Sequence, residues 1–118
     1  MRHLISFFIL LVCQFNVAYA QKLDLNKLTA EAEQGVPTKQ YNLAYSYFHG
    51  QGGIQKDEEK GMYWMNEAAK SNNGAVHYKI GRLYETGEIY PKNIKKAFEH
   101  YKRSATSGDP YGIVNLSV

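Results

Sequence analysis

Two stretches of the chain repeat one another: residues 41–74 read YNLAYSYFHGQGGIQKDEEKGMYWMNEAAKSNNG, and residues 78–109 read YKIGRLYETGEIYPKNIKKAFEHYKRSATSGD. A shift of 37 residues places Tyr41 on Tyr78, and after the loop a shift of 36 residues places Asp57 on Asn93. Self-similarity at a fixed period of this length is typical of proteins built from stacked repeats. The fold is therefore predicted to be a repeat array.

The recurring positions are of two kinds, apolar residues at helical spacing and Gly, Asp or Asn residues between them. In unit one they are Leu43, Ala44, Tyr47, Gly50, Asp57, Trp64 and Ala69. In unit two they are Ile80, Gly81, Tyr84, Gly87, Ala105 and Gly108. Gly35 and Pro37 recur once more, 73 residues later, as Gly108 and Pro110. We interpret these positions as structural and expect a partial third unit.

Each unit is predicted to form two helices. Pro37 suits a first helical turn and Gly50 suits the residue after a helix, which predicts a helix over residues 37–49. Asp57 can cap a second helix, which ends in the polar residues 71–74. In unit two the corresponding helices run from about residue 76 to 86 and onward from the cap Asn93. Residues 23–34 predict a lone helix before unit one, and residues 110–118 predict one after unit two.

The apolar spacing predicts which side chains of these helices face inward. On the first helix of unit one they are Tyr41, Ala44, Tyr47 and Phe48. On the second helices they are Met62, Met65 and Ala69 in unit one and Phe98, Tyr101 and Ala105 in unit two. Six helices in this order predict a short α-solenoid, because each pair needs its neighbour to bury its apolar face.

The combined pattern resembles the Sel-1-like repeat, a relative of the tetratricopeptide repeat. The family pattern runs A-x-x-x-L-G-x-x-Y-x-x-G, a loop, and then D-x-x-K-A-x-x-W-x-x-x-A-A-x-x-G. Its positions are met by Leu43, Tyr47, Gly50, Asp57, Trp64 and Ala69 in unit one and by Ile80, Gly81, Tyr84, Gly87, Ala105 and Gly108 in unit two. The chain departs from the pattern at Ala44, Gly61 and Asn93, and at His100 where unit one has Trp64.

The resemblance implies an all-α fold, a right-handed α–α superhelix of about two and a half helix pairs covering residues 21–118. It implies repeats at residues 37–72 and 74–108, and a scaffold or adaptor that binds proteins or peptides. One cysteine-rich branch of the family is linked to β-lactam binding and hydrolysis. Each repeat of that branch carries a disulfide. Residues 21–118 contain no Cys, and this difference argues against the hydrolase alternative for this chain.

The N-terminus has the three-part layout of a secretory signal peptide. A basic start at residues 1–3 precedes an apolar run over residues 4–15, and Ala18 and Ala20 form a small-x-small cleavage site. We predict that residues 1–20 are removed after Ala20 and that the protein is secreted or periplasmic. The apolar run is too short to span a bilayer as a permanent helix, so no permanent membrane span is expected. Lipid attachment at Cys13 is disfavoured, because Val12 precedes it where processing prefers a small residue.

Composition excludes several classes of function. The chain has 118 residues, 14 basic against 11 acidic residues and one Cys. This length allows one small domain. Removing Arg2 with the leader leaves 13 basic residues against 11, and this mild charge gives no reason to expect nucleic-acid binding. The single Cys, which lies in the leader, leaves no disulfide framework and no cysteine-based zinc site.

The sequence offers no catalytic or metal-binding pattern, so no cofactor, metal or catalytic residue is expected. His49, His77 and His100 lie on three predicted helices without helical metal-ligand spacing, and we interpret them as surface or rim residues. Glu58 and Glu59 fit the start of a helix, where the dipole favours negative charge. The segment 50–53 follows a helix rather than a strand and lacks the terminal Gly-Lys-Ser/Thr, so it is interpreted as a turn rather than a phosphate loop.

A partner-binding face is the more plausible functional feature. Polar residues that avoid the apolar stripe of the two first helices share one side of each helix. They are Asn42, Tyr45 and His49 in unit one and Lys79, Arg82 and Thr86 in unit two. Lys79 and Arg82 could hold a carboxylate of a protein or peptide partner, and the alternative is an ordinary solvated helix face.

Two alternatives concern the whole chain. The first is an enzyme on the same scaffold, either hydrolase-like or linked to the cell wall. The second is the front end of a longer repeat protein, because the third unit has only its first helix. In that case Ile113, Val114 and Leu116 are expected to form an exposed apolar edge that drives self-association through the C-terminal helix.

Overall fold

The computed structural model describes residues 2–116, and the regular structure of that range is helical. Its helices are α1 (Arg2–Glu33), α2 (Pro37–His49), α3 (Glu58–Ala69), α4 (Gly74–Thr86), α5 (Ile94–Thr106) and α6 (Pro110–Leu116). Helices α2 and α3 form one pair and α4 and α5 the next, with α1 packed on α2 and α6 packed on α5. The protein is thus all-α, with the two successive helix pairs that the repeat predicts.

Helices α3, α4 and α5 each begin at a residue whose side chain caps the helix. Asp57 Oδ1 accepts a hydrogen bond of 3.0 Å from the backbone N–H of Lys60, and Asn93 Oδ1 accepts the equivalent bond from Lys96. Asn73 caps α4 in the same way, so α4 begins at Gly74, two residues before the predicted start. These caps satisfy N–H groups that a helix leaves without internal partners.

The loop between paired helices is anchored identically in both units. The backbone N–H of Asp57 donates to the carbonyl of Tyr47 at 2.9 Å, and that of Asn93 donates to the carbonyl of Tyr84, also at 2.9 Å. Each first helix is followed by a glycine in the left-handed conformation, Gly50 after α2 and Gly87 after α4, and φ of Gly50 is 66°. The recurring Tyr, Gly and Asp/Asn positions therefore define one loop geometry used twice.

Two groups of side chains form the core. The larger group consists of Tyr41, Ala44, Met65, Ala68, Val76, Ile80 and Leu83, which joins α2, α3 and α4. The smaller group consists of Ala32, Leu43 and Ile54, with Leu25 and Leu28 packed against it. The larger group links unit one to unit two, while the smaller one attaches the end of α1 to unit one.

The inward faces of α3 and α5 differ from the prediction. Met62 and Phe98, predicted inside, are 42% and 52% exposed. The buried residues are Gly61, Met65 and Ala68 on α3 and Ala97, Tyr101 and Ser104 on α5. Four of these six buried residues are small, which lets the helices pack closely, and Met62 and Phe98 lie at the edge of the contact.

The glycine at residue 81 shows how close this contact is. A Cβ atom there would lie 2.6 Å from the Tyr101 ring and 3.2 Å from the carbonyl oxygen of Ala97. Gly81 therefore packs directly against Tyr101 and Ala97 of α5. In unit one, a Cβ atom at Gly61 would lie 3.0 Å from the ring of Phe48.

Helix α1 differs most from its prediction. The lone helix predicted for residues 23–34 is the last part of one continuous helix, Arg2–Glu33. Residues 4–22 are exposed, whereas Ala32 is fully buried. The segment Leu4–Glu33 is long and apolar enough to cross a membrane by length and composition, a test that N-terminal signal sequences also pass. The shortness of the apolar run therefore does not by itself exclude a span.

Candidate functional site

A groove between α2 and α4 brings together four of the six residues predicted to bind a partner. Its volume is about 460 Å³. The lining residues are Tyr41, Asn42, Tyr45, Ser46, Gln51, Lys79, Arg82, Leu83 and Glu88. The predicted residues among them are Asn42, Tyr45, Lys79 and Arg82. The repeat spacing that placed these side chains on equivalent faces of two helices thus places them on facing walls.

The α4 wall of the groove is cationic. Lys79 Nζ lies 5.3 Å from the centre of the Tyr41 ring, a cation–π arrangement that holds the ammonium at the groove. Arg82 is exposed, and its Nε lies 3.9 Å from the Glu85 carboxylate. That separation leaves most guanidinium donors available to a ligand carboxylate.

The opposite end of the groove is anionic because of Glu88, which sequence reasoning missed. The Tyr45 hydroxyl donates to Glu88 Oε1 at 2.5 Å, and His49 Nε2 lies 3.4 Å from the same oxygen. The hydrogen bond to the carboxylate raises the pKa of the Tyr45 hydroxyl. Glu88 directly follows Gly87, the glycine after α4. This position at the start of the loop is the sequence feature that could have indicated its place in the groove.

The two remaining predicted residues support this end rather than line it. The His49 ring lies 4.2 Å from the Tyr45 ring, centre to centre. Thr86 Oγ1 donates to the carbonyl of Arg82 at 2.9 Å and accepts from the N–H of Glu88 at 3.4 Å. His49 and Thr86 therefore orient Tyr45 and Glu88.

The floor of the groove is aromatic and largely buried. Tyr41 is only 8% exposed, and burial raises the pKa of its hydroxyl well above the usual range. Its ring lies 6.1 Å from that of Tyr45, and Leu83 packs in the core beneath. The groove thus combines an apolar floor, two cations on one wall and a carboxylate at one end. This arrangement suits an extended peptide more than it suits a reaction centre.

A second cluster, the histidine pair His77 and His100, corrects the prediction of surface histidines. His77 is fully buried, and His100 is half-buried. Their Nδ1 atoms lie 3.1 Å apart, and His77 Nε2 lies 2.7 Å from the carbonyl oxygen of Ser71. Because a carbonyl only accepts, His77 carries its proton on Nε2, and His100 Nδ1 must donate to His77 Nδ1.

The histidine pair occupies repeat positions that hold other residues in unit one. His77 corresponds to Gln40, whose Nε2 donates to the carbonyl of Ala32 at 3.1 Å. Both side chains thus bind a carbonyl near the end of the preceding second helix. His100 corresponds to Trp64 and stacks on the Tyr84 ring, with centres 5.7 Å apart. The histidine pair therefore joins α4 to α5 within unit two, and the bond of His77 to the Ser71 carbonyl connects unit two to unit one.

Metal binding gains no support from these histidines. Among residues 2–116 no group of three or more His, Cys, Asp or Glu side chains is arranged to hold a metal ion. Burial lowers the pKa of His77, and burial together with the neighbouring His77 lowers that of His100 to about 4. The histidine pair is thus a neutral structural contact at neutral pH.

Comparison with known proteins identifies the repeats. The Sel1 repeat family model matches residues 40–73 and 75–109. A curated relative, the ERAD-associated E3 ubiquitin-protein ligase component HRD3B of Arabidopsis thaliana, is 31% identical over 96 residues. The match covers 80% of this chain and 15% of the plant protein, so the chain spans a small part of that relative.

Solved structures show the same architecture. A Sel1 repeat protein from Oxalobacter formigenes has a TM-score of 0.66 at 26% identity, covering 79% of this chain and 69% of that one. The protein c5321, a protective antigen of uropathogenic Escherichia coli strains with an SLR fold, has a TM-score of 0.66 at 34% identity. That match covers 78% of this chain and 20% of c5321.

Proposed function

The chain belongs to the Sel1 repeat family, and on that premise we propose that it is an exported scaffold that binds an extended protein segment in the groove between α2 and α4. Sel1 repeat proteins generally mediate protein–protein interactions and are typically non-catalytic. The observation that carries the proposal is the placement of Lys79 and Arg82 on one wall, above the aromatic floor formed by Tyr41 and Tyr45.

The charges of the groove favour one class of segment. Lys79 and Arg82 attract a carboxylate, either a chain terminus or an acidic side chain, while Glu88 repels one and favours a basic or neutral residue at its own end. The Tyr41 and Tyr45 rings between them offer area for an apolar side chain. The bound segment is therefore an extended peptide with an acidic group at one end and an apolar residue behind it.

Charge reversal on the cationic wall tests the groove. We expect Arg82→Glu to weaken capture of a partner at least about tenfold, because a carboxylate would then face another carboxylate. The protein is exposed to crosslinker in the exporting cell, and captured proteins are identified by mass spectrometry and then titrated with purified protein. Lys60→Glu, an exposed change on α3 outside this groove, is the matched control. Unchanged capture by Arg82→Glu would show that the groove is the wrong face.

Export rests on the N-terminal segment. The signal layout of residues 1–20 and the exposed position of residues 4–20 in α1 support cleavage after Ala20. Intact mass of the protein recovered outside the cytoplasm should correspond to residues 21–118. A mass that includes residues 1–20, found in the membrane fraction, would instead indicate that α1 stays as an anchor.

The hydrolase alternative is tested directly. Purified protein should not turn over nitrocefin above the rate of a buffer blank. Measurable turnover that scales with protein concentration, and that survives further purification, would place an enzyme on this scaffold and contradict the proposed function.

A further inference from the structure

The residue that follows the proposed cleavage site is a glutamine. Cleavage after Ala20 makes Gln21 the first residue of the exported protein. A glutamine in this position carries a free α-amino group and a side-chain amide, and the amine can reach the amide carbon by closing a five-membered ring. Holding two reacting groups in one residue favours their reaction strongly, because no second molecule has to be brought into place.

The structure leaves both groups of Gln21 open to this reaction. Gln21 is exposed, and among residues 2–116 none forms a hydrogen bond with its side chain. Its backbone nitrogen lies inside α1 while residues 1–20 are present. After cleavage Gln21 begins the helix, and the first N–H groups of a helix have no internal partner. The new amine is therefore held by nothing that would oppose ring closure.

The loop next to Gln21 leaves room for a ring. A Cβ atom at Gly53 would lie 3.6 Å from Gln21 Cβ and 3.7 Å from Gln21 Oε1, so the glutamine lies directly over this glycine. Gly53 has a φ of 80°, a conformation that suits glycine and disfavours residues with a side chain. Gly53 also borders a cavity of about 420 Å³ between α1 and the loop after α2. A compact ring at residue 21 thus meets no side chain at residue 53.

The electrostatics of the shortened helix also favour the ring. The start of a helix is the positive end of its dipole, where negative charge is stabilising and an ammonium group is not. Asp24, in the first turn after cleavage, supplies the favoured charge, whereas the α-ammonium of Gln21 adds the disfavoured one. Lys22 adds a second cation beside it. A neutral lactam removes the α-ammonium and leaves Asp24 to complement the dipole.

We propose that Gln21 is a modification site, and that it cyclises to pyroglutamate in the exported protein. This inference rests on the proposed export and cleavage after Ala20. The α-amino nitrogen attacks Cδ of its own side chain, the bond from Cδ to the amide nitrogen breaks, and ammonia leaves with the proton that the amine gives up. The reaction needs no oxidant, reductant or metal. An α-amino group has an ordinary pKa of about 8, so a neutral, nucleophilic fraction is present at neutral pH.

The ring protects the part of α1 that holds unit one. Aminopeptidases recognise a free α-amino group, which pyroglutamate lacks. Leu25 and Leu28 pack against the smaller core group, so removal of a few residues from an open N-terminus would reach side chains that stabilise the fold. Chain ends are preferred places for proteolysis, and the exposed start of the shortened helix is such an end. Cyclisation at Gln21 therefore closes the mature chain against trimming.

The test is made on protein recovered outside the cytoplasm, by intact mass and by Edman sequencing. We expect a mass lower by one ammonia molecule than that of residues 21–118, and no Edman signal. Treatment with pyroglutamyl aminopeptidase should then open the chain to sequencing from Lys22. The matched control is Gln21→Ala, which keeps its amine and should be sequenced without treatment. Incubation with an aminopeptidase should trim Gln21→Ala and leave the natural chain intact.

The possible outcomes separate this inference from export itself. A chain of residues 21–118 with its full mass and a readable Gln21 would overturn cyclisation and leave export standing. Loss of ammonia with an open N-terminus would overturn it too, since the Asn73–Gly74 pair can also lose ammonia by forming a succinimide. A chain that keeps residues 1–20, or that begins at another residue, would contradict both proposals. Equal trimming of the natural chain and Gln21→Ala would contradict the protective role.

Discussion

At the scale of single residues, the histidine pair makes the protein sensitive to acid. His77 and His100 share one hydrogen bond that requires both rings to be neutral or His100 alone to be charged. The cations nearest to His100 are Arg103 and Lys96, and they lower its pKa further. No carboxylate appears among the causes that shift either ring, so proton uptake gains little compensation.

We predict that the folded state loses stability as the pH falls from 6.5 to about 4, the ordinary and the folded pKa of His100. The folded state binds fewer protons than the unfolded state in this window, so acid favours unfolding. The expected loss is about 1 kcal/mol between pH 7 and pH 5, reduced by the partial exposure of His100. Urea unfolding followed by circular dichroism measures it.

One variant assigns this pH dependence. His100→Gln retains a donor for His77 Nδ1 but does not titrate, so its stability should change less between pH 7 and pH 5. If His100→Gln loses as much stability in acid as the parent, another group is responsible.

A second prediction at the residue scale concerns the two helical glycines at the pair contacts. Gly81→Ala should cost about 1–3 kcal/mol of stability, since its Cβ atom would meet the Tyr101 ring and the backbone of Ala97. Gly61→Ala meets only the half-buried ring of Phe48 and gains helix propensity, so its effect should be close to neutral. Equal losses in thermal unfolding would contradict this account of the contact.

At the scale of the helix, the caps of α3 and α5 offer a matched pair of tests. Asp57→Ala and Asn93→Ala should each destabilise the protein by about 1 kcal/mol, because the N–H of Lys60 or Lys96 loses its acceptor. Gln55→Ala, an exposed loop change, is the control and should have little effect on the urea midpoint. A loss confined to one of the two caps would show that the units are not energetically equivalent.

The sequence predicted helix bounds well because the signals at helix ends are local. Pro37 and Gly50 fix α2 through their own backbone preferences, and Asp57 and Asn93 cap through a side chain three residues from its partner. The inward faces were predicted less well. Hydrophobicity favoured Met62 and Phe98 as inward-facing residues. The structure instead buries small residues such as Gly61 and Ala97, where the paired helices pack closely.

The candidate site was partly predictable for a related reason. Repeat spacing brought Asn42, Tyr45, Lys79 and Arg82 onto one groove, since equivalent faces of neighbouring first helices meet. Glu88 comes from a loop, where no periodicity operates. The histidine pair joins residues 23 positions apart on two helices, a contact that spacing along either helix does not reveal.

At the scale of the whole molecule, the two ends of the stack differ. The outer side of α1 over residues 21–33 is mostly polar, so this part of α1 closes the stack as a cap. The other end exposes Ile94 and Phe98 beside the short helix α6. The local stability of the helices should therefore decrease toward α6.

We predict this gradient in amide hydrogen exchange. Amides of α4, which lies between α2 and α5 and carries much of the core, should be the most protected, and those of α6 the least. Exchange measured by mass spectrometry or NMR at neutral pH tests the order. Uniform protection from α2 to α6 would instead indicate that the helices unfold as one cooperative unit.

The shared loop bond from Asp57 to Tyr47 and from Asn93 to Tyr84 has a consequence for how such a chain can lengthen. Each unit carries its own loop anchor and its own caps, so a duplicated segment of residues 74–109 brings with it all that its helices need locally. Inserted ahead of Pro110, its first helix would pack on α5 where α6 packs now, and α6 would pack on the new second helix. The array can therefore lengthen by whole units at this point without new caps or loop anchors.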